Sequence, residues 1–543
     1  MISEGKLHGP SLGELLGEIG QDKKRKGIVT GVAIDSREVR PGNIFVALAG
    51  TQTDGRDHIG DAVARGCLAV IVEKRVRLPE ASKGVALVVV SDSRLVAARL
   101  AAAYYGHPER SLHLIGITGT NGKTTSTYLL EEVLCAAGHR PGVIGTINYR
   151  FGDQVWPAPL TTPDPVSLFR LLGQMAKGGA THVIMEVSSH ALVQGRLAGL
   201  LFDVVLFTNL SRDHLDFHLD MERYFQAKKK LFTEYLKDGA SAVIVLSSEE
   251  REATESESGH WGSRLRDELK ASNDFFPPEK ARCNLVTCGL NEGELRVLRY
   301  RSTLDGIDLE LGVPENIYTH CRSGLVGDFN LQNILGVAGV ARSLDIDGES
   351  FGQGISAMPM VPGRVERVLG SGTGERCRVF VDYAHTPDAL ERVLVSLKRL
   401  TGGRVILVFG CGGDRDRGKR PLMGAIAARL ADVVLLTSDN PRSEEPSSIL
   451  ADIEQGMVAK AGNHGTPVFS RGRAEWLLRS GGRGYDLMGS RREAIGTAIR
   501  FAGVDDVLLI SGKGHEDYQI IGDRRLSFDD RVEAARHLLV VNW

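Results

Sequence analysis

The stretch LIGITGTNGKTT, residues 114–125, decides the fold. Its apolar start predicts a buried strand, and the residues after it carry apolar side chains at helical spacing. The glycine-rich turn between them predicts a phosphate loop, because the helix N-terminus and the Lys123 ammonium both attract anions. Thr124 is then placed to bind Mg²⁺. The first glycine of the common Walker A spacing is replaced by Ile117, with Gly116 one place earlier, so the loop is a variant.

Length and composition describe an ordinary globular chain. Its 543 residues predict about three domains. With 25% charged residues and a net charge of −2, no overall field points to nucleic acid or to a membrane surface. The closest of the seven cysteines, Cys283 and Cys288, lack the spacing of a zinc site.

The pattern of hydrophobic residues predicts a cytoplasmic protein. The N-terminus lacks the basic and apolar regions of a signal peptide, and no run of about 18 apolar residues occurs. We therefore expect no membrane span and no nucleic-acid partner.

The order of predicted elements indicates an α/β protein. Residues 1–108 form a small unit of short strands and helices. Residues 109–355 alternate strand and helix, which is typical of a parallel sheet covered on both faces. Residues 356–543 repeat the α/β alternation after a proline-rich linker.

Polar side chains follow two strands of the middle region. Glu186 and Ser188 come directly after one apolar run, and His214 follows the next. In parallel sheets ligands gather at the carboxyl ends of strands, so these residues should face the crevice that holds Lys123. There they could ligate Mg²⁺ or Mn²⁺, although a capping or ion-paired role remains open for each. His218 is expected to be a surface residue.

Two helices carry polar residues of uncertain role. An amphipathic helix, MERYFQAKKKLFTEYL, bears Lys228, Lys229 and Lys230, and spacing alone predicts that this lysine run is a solvated face. Asn330 and Asn333 lie near the start of a later helix, where they either cap it or bind a purine edge.

Two segments match no chemical motif. Residues 248–282 are polar and charge-rich, and we interpret them as a surface excursion. The region around residues 471–492 carries the similar stretches GRAEWL, residues 472–477, and SRREAI, residues 490–495, which indicate a short insertion with partial duplication.

Four strands of the last region also end in charged or polar clusters, which predicts a second anion-binding wall. The clusters are Asp382, Tyr383 and His385; Arg415, Asp416, Arg417, Lys419 and Arg420; Asp439, Asn440 and Arg442; and Lys513, His515 and Glu516.

Taken together, these motifs resemble the Mur ligase family. GTNGKTT, MEVSSHAL, RDHLDFH, GDFNLQN, VDYAHTPD, GCGGDRDRGKR, DNPR and GKGHEDYQ occur in the family's order, and the resemblance runs from residue 35 to residue 531. The pattern is most similar to the members that add meso-diaminopimelate to UDP-N-acetylmuramoyl-L-alanyl-D-glutamate in peptidoglycan precursor synthesis. The resemblance implies a UDP-binding domain over 1–108, a P-loop-type ATPase domain over 109–355 and a Rossmann-like amino-acid-binding domain over 356–543.

The resemblance also implies a catalytic set and its cofactors. Lys123, Lys228, Glu186 and His214 would be catalytic, with ATP and Mg²⁺ bound beside them. Lys228 matches the family's carbamylated lysine, so it would carry a carbamate formed from CO₂. The metal ligands would be Thr124, Glu186, His214 and the carbamate of Lys228.

The matched motifs assign three groups of binding residues. ATP would be bound by Gly119, Thr120, Asn121, Gly122, Lys123, Thr124, Thr125, Asn330, Asn333, Arg364, Asp382 and His385. The UDP-muramoyl peptide would be bound by Ser36, Thr161, Thr162, Ser188, Gln194 and Arg196. Diaminopimelate would be bound by Arg415, Asp439, Asn440, Arg442, Gly512 and Glu516.

The amine substrate is the sharpest of these expectations. Diaminopimelate differs from lysine by a distal carboxylate, which the Arg442 guanidinium can bind through two parallel hydrogen bonds. A related ligase that uses L-lysine, a ligase that adds glutamate to folate, and a non-enzymatic ATP-binding module are the alternatives. Assays of phosphate release with each candidate substrate separate them.

Overall fold

The three-dimensional structure is a computed structural model. It describes residues 9–50, 53–79, 82–246, 261–273, 283–313, 316–358, 360–370, 377–458 and 469–540.

The N-terminal part forms a small parallel sheet in the order β1-β2-β3-β4. Its strands are β1 Gly31–Ala33, β2 Asn43–Val46, β3 Ala69–Val72 and β4 Ala86–Val89. Its helices are α1 Leu12–Glu18, α2 Ile59–Ala64 and α3 Ser93–Tyr104, and 3₁₀ turns span Ser36–Glu38, Gly55–His58 and Pro108–Arg110. A capping box starts α1, because Ser11 and Glu14 each accept a hydrogen bond from the other's backbone N–H.

The central part is built on a large sheet in the order β15-β14-β13-β12-β11-β10-β5-β9-β6-β7-β8. Its strands are β5 His113–Thr118, β6 Pro141–Ile144, β7 Asn148–Phe151, β8 Gln154–Pro157, β9 His182–Glu186, β10 Phe202–Phe207, β11 Leu236–Val245, β12 Cys283–Gly289, β13 Leu295–Thr303, β14 Gly306–Val313 and β15 Asn316–Ser323. Its helices are α4 Lys123–Ala136, α5 Pro165–Lys177, α6 Ser189–Val193, α7 Leu215–His218, α8 Met221–Thr233, α9 Trp261–Asn273, α10 Phe329–Ser343 and α11 Gly348–Ala357.

Strand β5 lies inside this sheet, between β10 and β9, and runs parallel to both. From Leu114 to Thr118 every residue is buried, because helices cover both faces of the sheet. The phosphate loop therefore leaves the sheet between the carboxyl ends of two neighbouring strands. The antiparallel hairpins β6-β7-β8 and β13-β14-β15 form the two outer ends of the sheet.

The C-terminal part forms a sheet in the order β16-β17-β22-β18-β19-β21-β20, parallel except at β16. Its strands, with a separate hairpin β23-β24, are β16 Glu366–Val368, β17 Arg378–Asp382, β18 Val405–Phe409, β19 Val433–Thr437, β20 Ser470–Arg471, β21 Gly484–Met488, β22 Val507–Ser511, β23 Tyr518–Ile521 and β24 Arg524–Ser527. Its helices are α12 Pro387–Leu400, α13 Lys419–Leu430, α14 Pro446–Val458, α15 Ala474–Ser480, α16 Arg491–Phe501 and α17 Asp530–Val540. These sheets confirm the predicted α/β class.

Three local interpretations of the sequence are wrong. The stretch 471–492 is part of the domain fold rather than a separate insertion, because β21 pairs with β19 and β20 pairs with β21, which extends the parallel sheet. Within 248–282, helix α9 packs Leu265 and Leu269 into the core, whereas 248–260 and 274–282 lie outside the described residues. His218 is buried, and its Nε2 lies 2.9 Å from the hydroxyl of Ser189.

Other expectations have mixed outcomes. In the described part of the chain, which includes all seven cysteines, none of them forms a disulfide. In the described part of the chain, no helix combines the length and apolar character needed to cross a bilayer. The domain boundaries at 108/109 and 355/356 stay predictions.

A cluster of histidines predicts acid sensitivity of the central sheet. The ring of buried His182 lies 4.9 Å from that of His113 and 4.4 Å from that of His139. Burial, together with these neighbours, lowers the pKa of His182 from 6.5 to about 4, against a weaker opposing effect of Asp203. The unfolded chain therefore binds the proton more readily, so stability is lost as the pH falls from about 6.5 towards about 4.

We expect His182→Asn to remove up to about 3 kcal/mol of the loss in unfolding free energy between these pH values. Urea unfolding followed at several pH values measures this loss. The exposed His320 supplies the control variant His320→Asn. In this variant the unfolding free energy should fall with pH as steeply as in the wild type. If His182→Asn lost as much unfolding free energy between these pH values as the wild type, His182 would not be the cause of the acid sensitivity.

Candidate active site

The phosphate loop has the backbone that its glycines predict. Gly122 precedes α4 with φ +88°, and a Cβ there would lie 2.1 Å from the Asn333 side-chain oxygen. The Lys123 ammonium turns back over the loop and donates to the carbonyl oxygens of Gly119 at 2.8 Å and Thr120 at 2.9 Å. Burial lowers the pKa of Lys123.

Two residues that follow β10, Thr208 and Asn209, hold the backbone of the phosphate loop in place with their side chains. Asn209 accepts a hydrogen bond from the Asn121 N–H at 2.9 Å and donates its side-chain amide to the Asn121 carbonyl at 3.0 Å. Thr208 donates to the same carbonyl at 2.6 Å. With the Asn121 backbone held on both sides, the loop is preorganised for an anion.

Glu186, at the end of β9, is buried and faces the start of α4. Its carboxylate accepts hydrogen bonds from the Thr124 hydroxyl at 3.0 Å, the Thr146 hydroxyl at 2.9 Å and the Thr146 N–H at 3.0 Å. Sequence reasoning missed Thr146, although its position just after the apolar strand β6 is the strand-end signal that located Glu186.

His214 lies across the cavity at the start of α7, with φ +54°. Its Nε2 lies 3.4 Å from the Asp213 carboxylate, and its ring lies 4.9 Å from that of His190. The His214 side chain is nearly half exposed, and its partial desolvation in the cavity lowers its pKa to about 4, which favours the neutral imidazole at neutral pH.

Of the four predicted metal ligands, only Glu186 and His214 are side chains of the usual ligand types His, Cys, Asp or Glu. Among the described residues, no three His, Cys, Asp or Glu side chains are arranged to hold a metal ion. The Thr124 hydroxyl and the Glu186 carboxylate still offer adjacent hard oxygen atoms in the cavity. That donor set fits Mg²⁺, which uses few protein ligands and completes its shell with phosphate oxygens and water.

Lys228 differs from its two neighbours in the lysine run. Its side chain is buried, its Nζ donates to the Gly119 carbonyl at 2.8 Å, and it lies over the Tyr224 ring. Burial, and next the like charge of Lys123, lower the pKa of Lys228 well below its usual value.

Lys229 and Lys230 instead lie at the surface of α8. Lys229 forms an ion pair with Glu268 at 2.6 Å, and Lys230 forms one with Glu234 at 3.6 Å. The solvated reading of the lysine run therefore holds for these two residues and fails for Lys228.

A cavity of about 290 Å³ joins the phosphate loop to the end of β17 and the start of α12. It brings together nearly all of the residues predicted to bind ATP. The predicted residues that line it are Thr120, Asn121, Gly122, Lys123, Thr124, Thr125, Asn330, Asn333, Arg364, Asp382 and His385. Thr161, Ser188, Glu186 and His214 line the same cavity.

The two asparagines of α10 do not cap the helix. Both are buried; Asn330 donates to the Val326 carbonyl, and Asn333 donates to the Asn330 side-chain oxygen, each at 2.9 Å. The N-cap position belongs to Asp328. The capping alternative is therefore wrong, and both residues face the cavity instead.

The far wall of the cavity is fixed by the end of β17. Asp382 accepts hydrogen bonds from the N–H groups of Val365 and Ala384, both at 2.7 Å. Burial raises the pKa of Asp382, an effect that Arg364 opposes. Arg364 itself lies 4.9 Å from the centre of the Tyr383 ring.

Asp388, which sequence reasoning did not single out, connects the C-terminal side of the cavity to the phosphate loop. It lies in the first turn of α12 and accepts hydrogen bonds from the Asn121 side-chain amide at 3.1 Å and the Ser211 hydroxyl at 2.8 Å. A carboxylate of the C-terminal part therefore contacts the phosphate loop directly.

Five of the six residues predicted for the UDP-muramoyl peptide lie near the end of β9. Thr162 accepts a hydrogen bond from the Ser188 N–H at 3.1 Å, and Arg196 donates to the Thr162 carbonyl at 3.0 Å. The Thr161 hydroxyl lies 3.1 Å from that of Thr146. Gln194 ends α6.

Ser36 belongs to the N-terminal part, in the 3₁₀ turn Ser36–Glu38. Arg94, which the sequence did not single out, links the N-terminal and central parts. It donates to the Gln194 carbonyl in the central part and to the Ala49 carbonyl at 2.8 Å in the N-terminal part.

The predicted amino-acid residues form a separate cluster at the ends of β19 and β22. Asn440 donates to the Glu516 carboxylate at 2.9 Å. Gly512 has φ +116°, and a Cβ there would lie 3.2 Å from the Asp439 carboxylate. Lys513, which the sequence placed at this strand end without a role, is fully buried among these residues.

Two arginines flank this cluster. Arg442 has φ +52° and donates to the Gly413 carbonyl at 2.7 Å, while Arg415 is exposed. A Cβ on Gly412 would lie 3.0 Å from the Arg442 Nη1 and 3.7 Å from the Arg415 Cγ, so both arginines border the same glycine.

Family comparisons match this architecture. Residues 28–105 match the model described as "Mur ligase family, catalytic domain", residues 117–341 match the Mur ligase middle domain, and residues 363–514 match the "Mur ligase, glutamate ligase domain". The chain belongs to the Mur ligase family.

Individual relatives of this Mur ligase cover nearly its whole length. A Geobacter metallireducens protein named UDP-N-acetylmuramoyl-L-alanyl-D-glutamate--2,6-diaminopimelate ligase is 44% identical, covering 93% of each chain. A Fusobacterium nucleatum protein of the same name is 39% identical, covering 97% of this chain and 96% of its own. A solved structure of a ligase with that name is 32% identical, with a TM-score of 0.65, covering 98% of this chain and 99% of its own.

The contact between Asp388 and the phosphate loop generates a prediction. Asp388→Ala removes an acceptor shared by two donors, so we expect kcat/KM for ATP to fall roughly 10-fold. Small-angle scattering should show a larger radius of gyration, because the C-terminal part loses this contact with the loop.

Glu391→Ala is the matched control for Asp388→Ala. Glu391 lies on the same helix, is exposed and pairs with Arg429 away from the cavity. If Asp388→Ala had the radius of gyration and the turnover of the wild type, the contact would not help to hold the C-terminal part against the phosphate loop.

Proposed function

We propose that this Mur ligase uses ATP to join meso-diaminopimelate to the D-glutamyl γ-carboxylate of UDP-N-acetylmuramoyl-L-alanyl-D-glutamate. The observation that carries the proposal is the pairing of two sites. A phosphate loop with the half-buried Lys123 lines the cavity, and a cluster of charged residues with Arg442 and Glu516 lies at the strand ends of the adjoining sheet. The names of the full-length relatives agree with this reading.

The first step makes a leaving group from a poorly electrophilic carboxylate. The substrate's γ-carboxylate oxygen attacks the γ-phosphorus of ATP, the bond to the bridging oxygen breaks, and ADP leaves. The product is an acyl phosphate. Negative charge would otherwise keep the two reactants apart, and the Lys123 ammonium at the loop reduces that repulsion.

Thr124 and Glu186 would hold Mg²⁺, as their adjacent oxygens in the cavity support. When bound, the ion neutralises phosphate charge and polarises the transferred group. The structure's own contribution is the fixed position of the two oxygens, since Thr146 also holds the Glu186 carboxylate.

In the second step, the amine attacks the acyl carbon. A tetrahedral intermediate forms, phosphate leaves, and the amine loses a proton to give the amide. Water would hydrolyse the acyl phosphate, so the reaction needs an enclosed site. The hydrogen bonds of Asp388 to Asn121 and Ser211 close the C-terminal part over the loop.

The proposed amine site offers groups of both charges, which suit the distal ammonium and carboxylate of diaminopimelate. Arg442 donates to the Gly413 carbonyl, and its remaining N–H groups can bind a distal carboxylate. Glu516 suits the distal ammonium. We assign Arg415, Asp439, Asn440 and Gly512 to the same site. Lysine would leave Arg442 without its carboxylate, at a cost of roughly 1–3 kcal/mol.

The other groups of binding residues keep their proposed roles. ATP is assigned to the eleven cavity-lining residues named above and to Gly119, whose carbonyl accepts from Lys123. The UDP-muramoyl peptide is assigned to Ser36, Thr161, Thr162, Ser188, Gln194 and Arg196. Residues 1–108, 109–355 and 356–543 would be the UDP-binding, ATP-binding and amino-acid-binding domains.

We also propose that Lys228 carries a carbamate. Its buried amine has a strongly lowered pKa, and only a neutral amine adds to CO₂. Addition forms an N–C bond and releases one proton, which converts a potential cation into an anion. That anion would face Lys123, whose ammonium shares the Gly119 carbonyl with Lys228, and would join Thr124, Glu186 and His214 around the metal.

An amine-substrate panel tests the proposed reaction. ADP release should require both the muramoyl dipeptide and diaminopimelate, and kcat/KM for L-lysine should be at least about 10-fold lower. Arg442→Lys should reduce this preference, because an ammonium cannot form the bidentate contact.

The control for Arg442→Lys is Arg417→Lys. Arg417 lies on the adjoining loop, is exposed and pairs with Glu444 at 3.0 Å, so its substitution should keep the preference. Equal kcat/KM for lysine and diaminopimelate in the wild type would refute the substrate assignment.

Chemical rescue tests the carbamate on Lys228. Lys228→Ala should lose activity by roughly 100-fold, because a charged group beside the transferred phosphoryl is missing. A short carboxylate such as propionate should restore part of it. Lys230→Ala removes an exposed lysine of the same helix and should stay active. Full activity of Lys228→Ala without any added carboxylate would remove the role.

A further inference from the structure

Lys513 is a buried charge that the proposed reaction does not use. It lies in the turn after β22, at the carboxyl edge of the C-terminal sheet, and its side chain is 0% exposed. A buried ammonium requires compensation, because leaving water costs several kcal/mol. Its surroundings therefore reveal what it does.

The ammonium of Lys513 lies between residues from two strand ends. It donates to the Asn440 side-chain oxygen at 3.1 Å, and it lies 3.5 Å from the Asp439 carboxylate and 3.6 Å from that of Glu516. All three neighbours belong to the cluster assigned to the amine substrate. Lys513 is thus the cation that lets two carboxylates approach each other there.

Lys513 also fixes which way the Asn440 amide points. The Asn440 oxygen accepts from Lys513 and from the Ile520 N–H at 2.9 Å, so its NH₂ group is left to donate to Glu516. If the lysine were removed, the amide would lose one of the two donors that specify its orientation.

The charge balance of the cluster matches the substrate. One ammonium between two carboxylates leaves one negative charge unbalanced, and the distal ammonium of diaminopimelate supplies one positive charge. Arg442, on the neighbouring loop, provides the cation for the distal carboxylate. The site is therefore complementary to a zwitterion only while Lys513 is charged.

We propose that Lys513 is a positioning residue that sets amine specificity by holding Asp439, Asn440 and Glu516 in a singly anionic arrangement. This inference rests on the proposed function. Lys513 acts through its three neighbours.

The ionisation of Glu516 gives this role a signature. Burial and then Asp439 raise the pKa of Glu516, whereas Lys513 lowers it. The other titratable groups facing Glu516 are Tyr383, Tyr518 and the buried Arg491, which is paired with Asp530. Without Lys513 the Glu516 carboxyl should therefore take up a proton at a higher pH and stop attracting the substrate's ammonium.

The decisive experiment compares Lys513→Met with Lys513→Arg in the full-length enzyme. For Lys513→Met we expect KM for diaminopimelate to rise about 10-fold or more near neutral pH, with KM for ATP within about twofold of wild type. The defect should shrink as the pH is raised, because Glu516 ionises again. Lys513→Arg keeps the positive charge. Its KM for diaminopimelate can differ from that of the wild type, but the difference should not change with pH.

Each outcome is informative. A wild-type KM and pH profile in Lys513→Met, or the same pH-independent rise in both variants, would overturn the proposal by showing no charge-dependent role. If Lys513→Met does not fold, Lys513→Gln keeps a donor for Asn440 without the charge and carries the same expectation. Failure of the proposed function is separate, because the wild-type enzyme would then not depend on diaminopimelate.

Discussion

The site depends on two amines that share one backbone oxygen, the half-buried Lys123 and the fully buried Lys228. Lys123, from the phosphate loop, and Lys228, from α8, each donate to the Gly119 carbonyl at 2.8 Å. The described structure gives neither of them a carboxylate within ion-pair distance. Two desolvated cations cannot stay charged side by side without an anion, so one must be neutral or be converted. In the proposed function, the polyphosphate of ATP and a carbamate on Lys228 would supply that anion.

The amine site uses the opposite arrangement of charge. There one buried ammonium, Lys513, lies between the carboxylates of Asp439 and Glu516. In the proposed reaction, a surplus of positive charge would meet phosphate at one site, and a surplus of negative charge would meet an ammonium at the other. Parallel strands place each set at a carboxyl edge, and Asp388 brings the phosphate loop against the C-terminal part.

Sequence reasoning located the strand ends well because buried parallel strands are continuous apolar runs. Glu186 and Asp382 each follow such a run, and both line the cavity. Local sequence patterns predicted burial less accurately where residues distant in the sequence pack over a side chain and bury it. His218 looks like a surface residue in its own short helix, yet it contacts Ser189 of α6. The stretch 471–492 looked like an insertion, because pairing of β21 with β19 leaves no local mark.

The sequence by itself determined the α/β class, the phosphate loop at 114–125 and the motif order that relates the chain to its family. These are local or periodic signals, set by backbone propensity and by alternation of apolar residues. Only the tertiary structure decided that Lys228 is buried while Lys229 and Lys230 pair at the surface, and that Asp388 and Lys513 take part in the sites. Lys228 contacts Gly119 and Asp388 contacts Asn121 across 109 and 267 positions of the chain. No short stretch of sequence encodes such contacts.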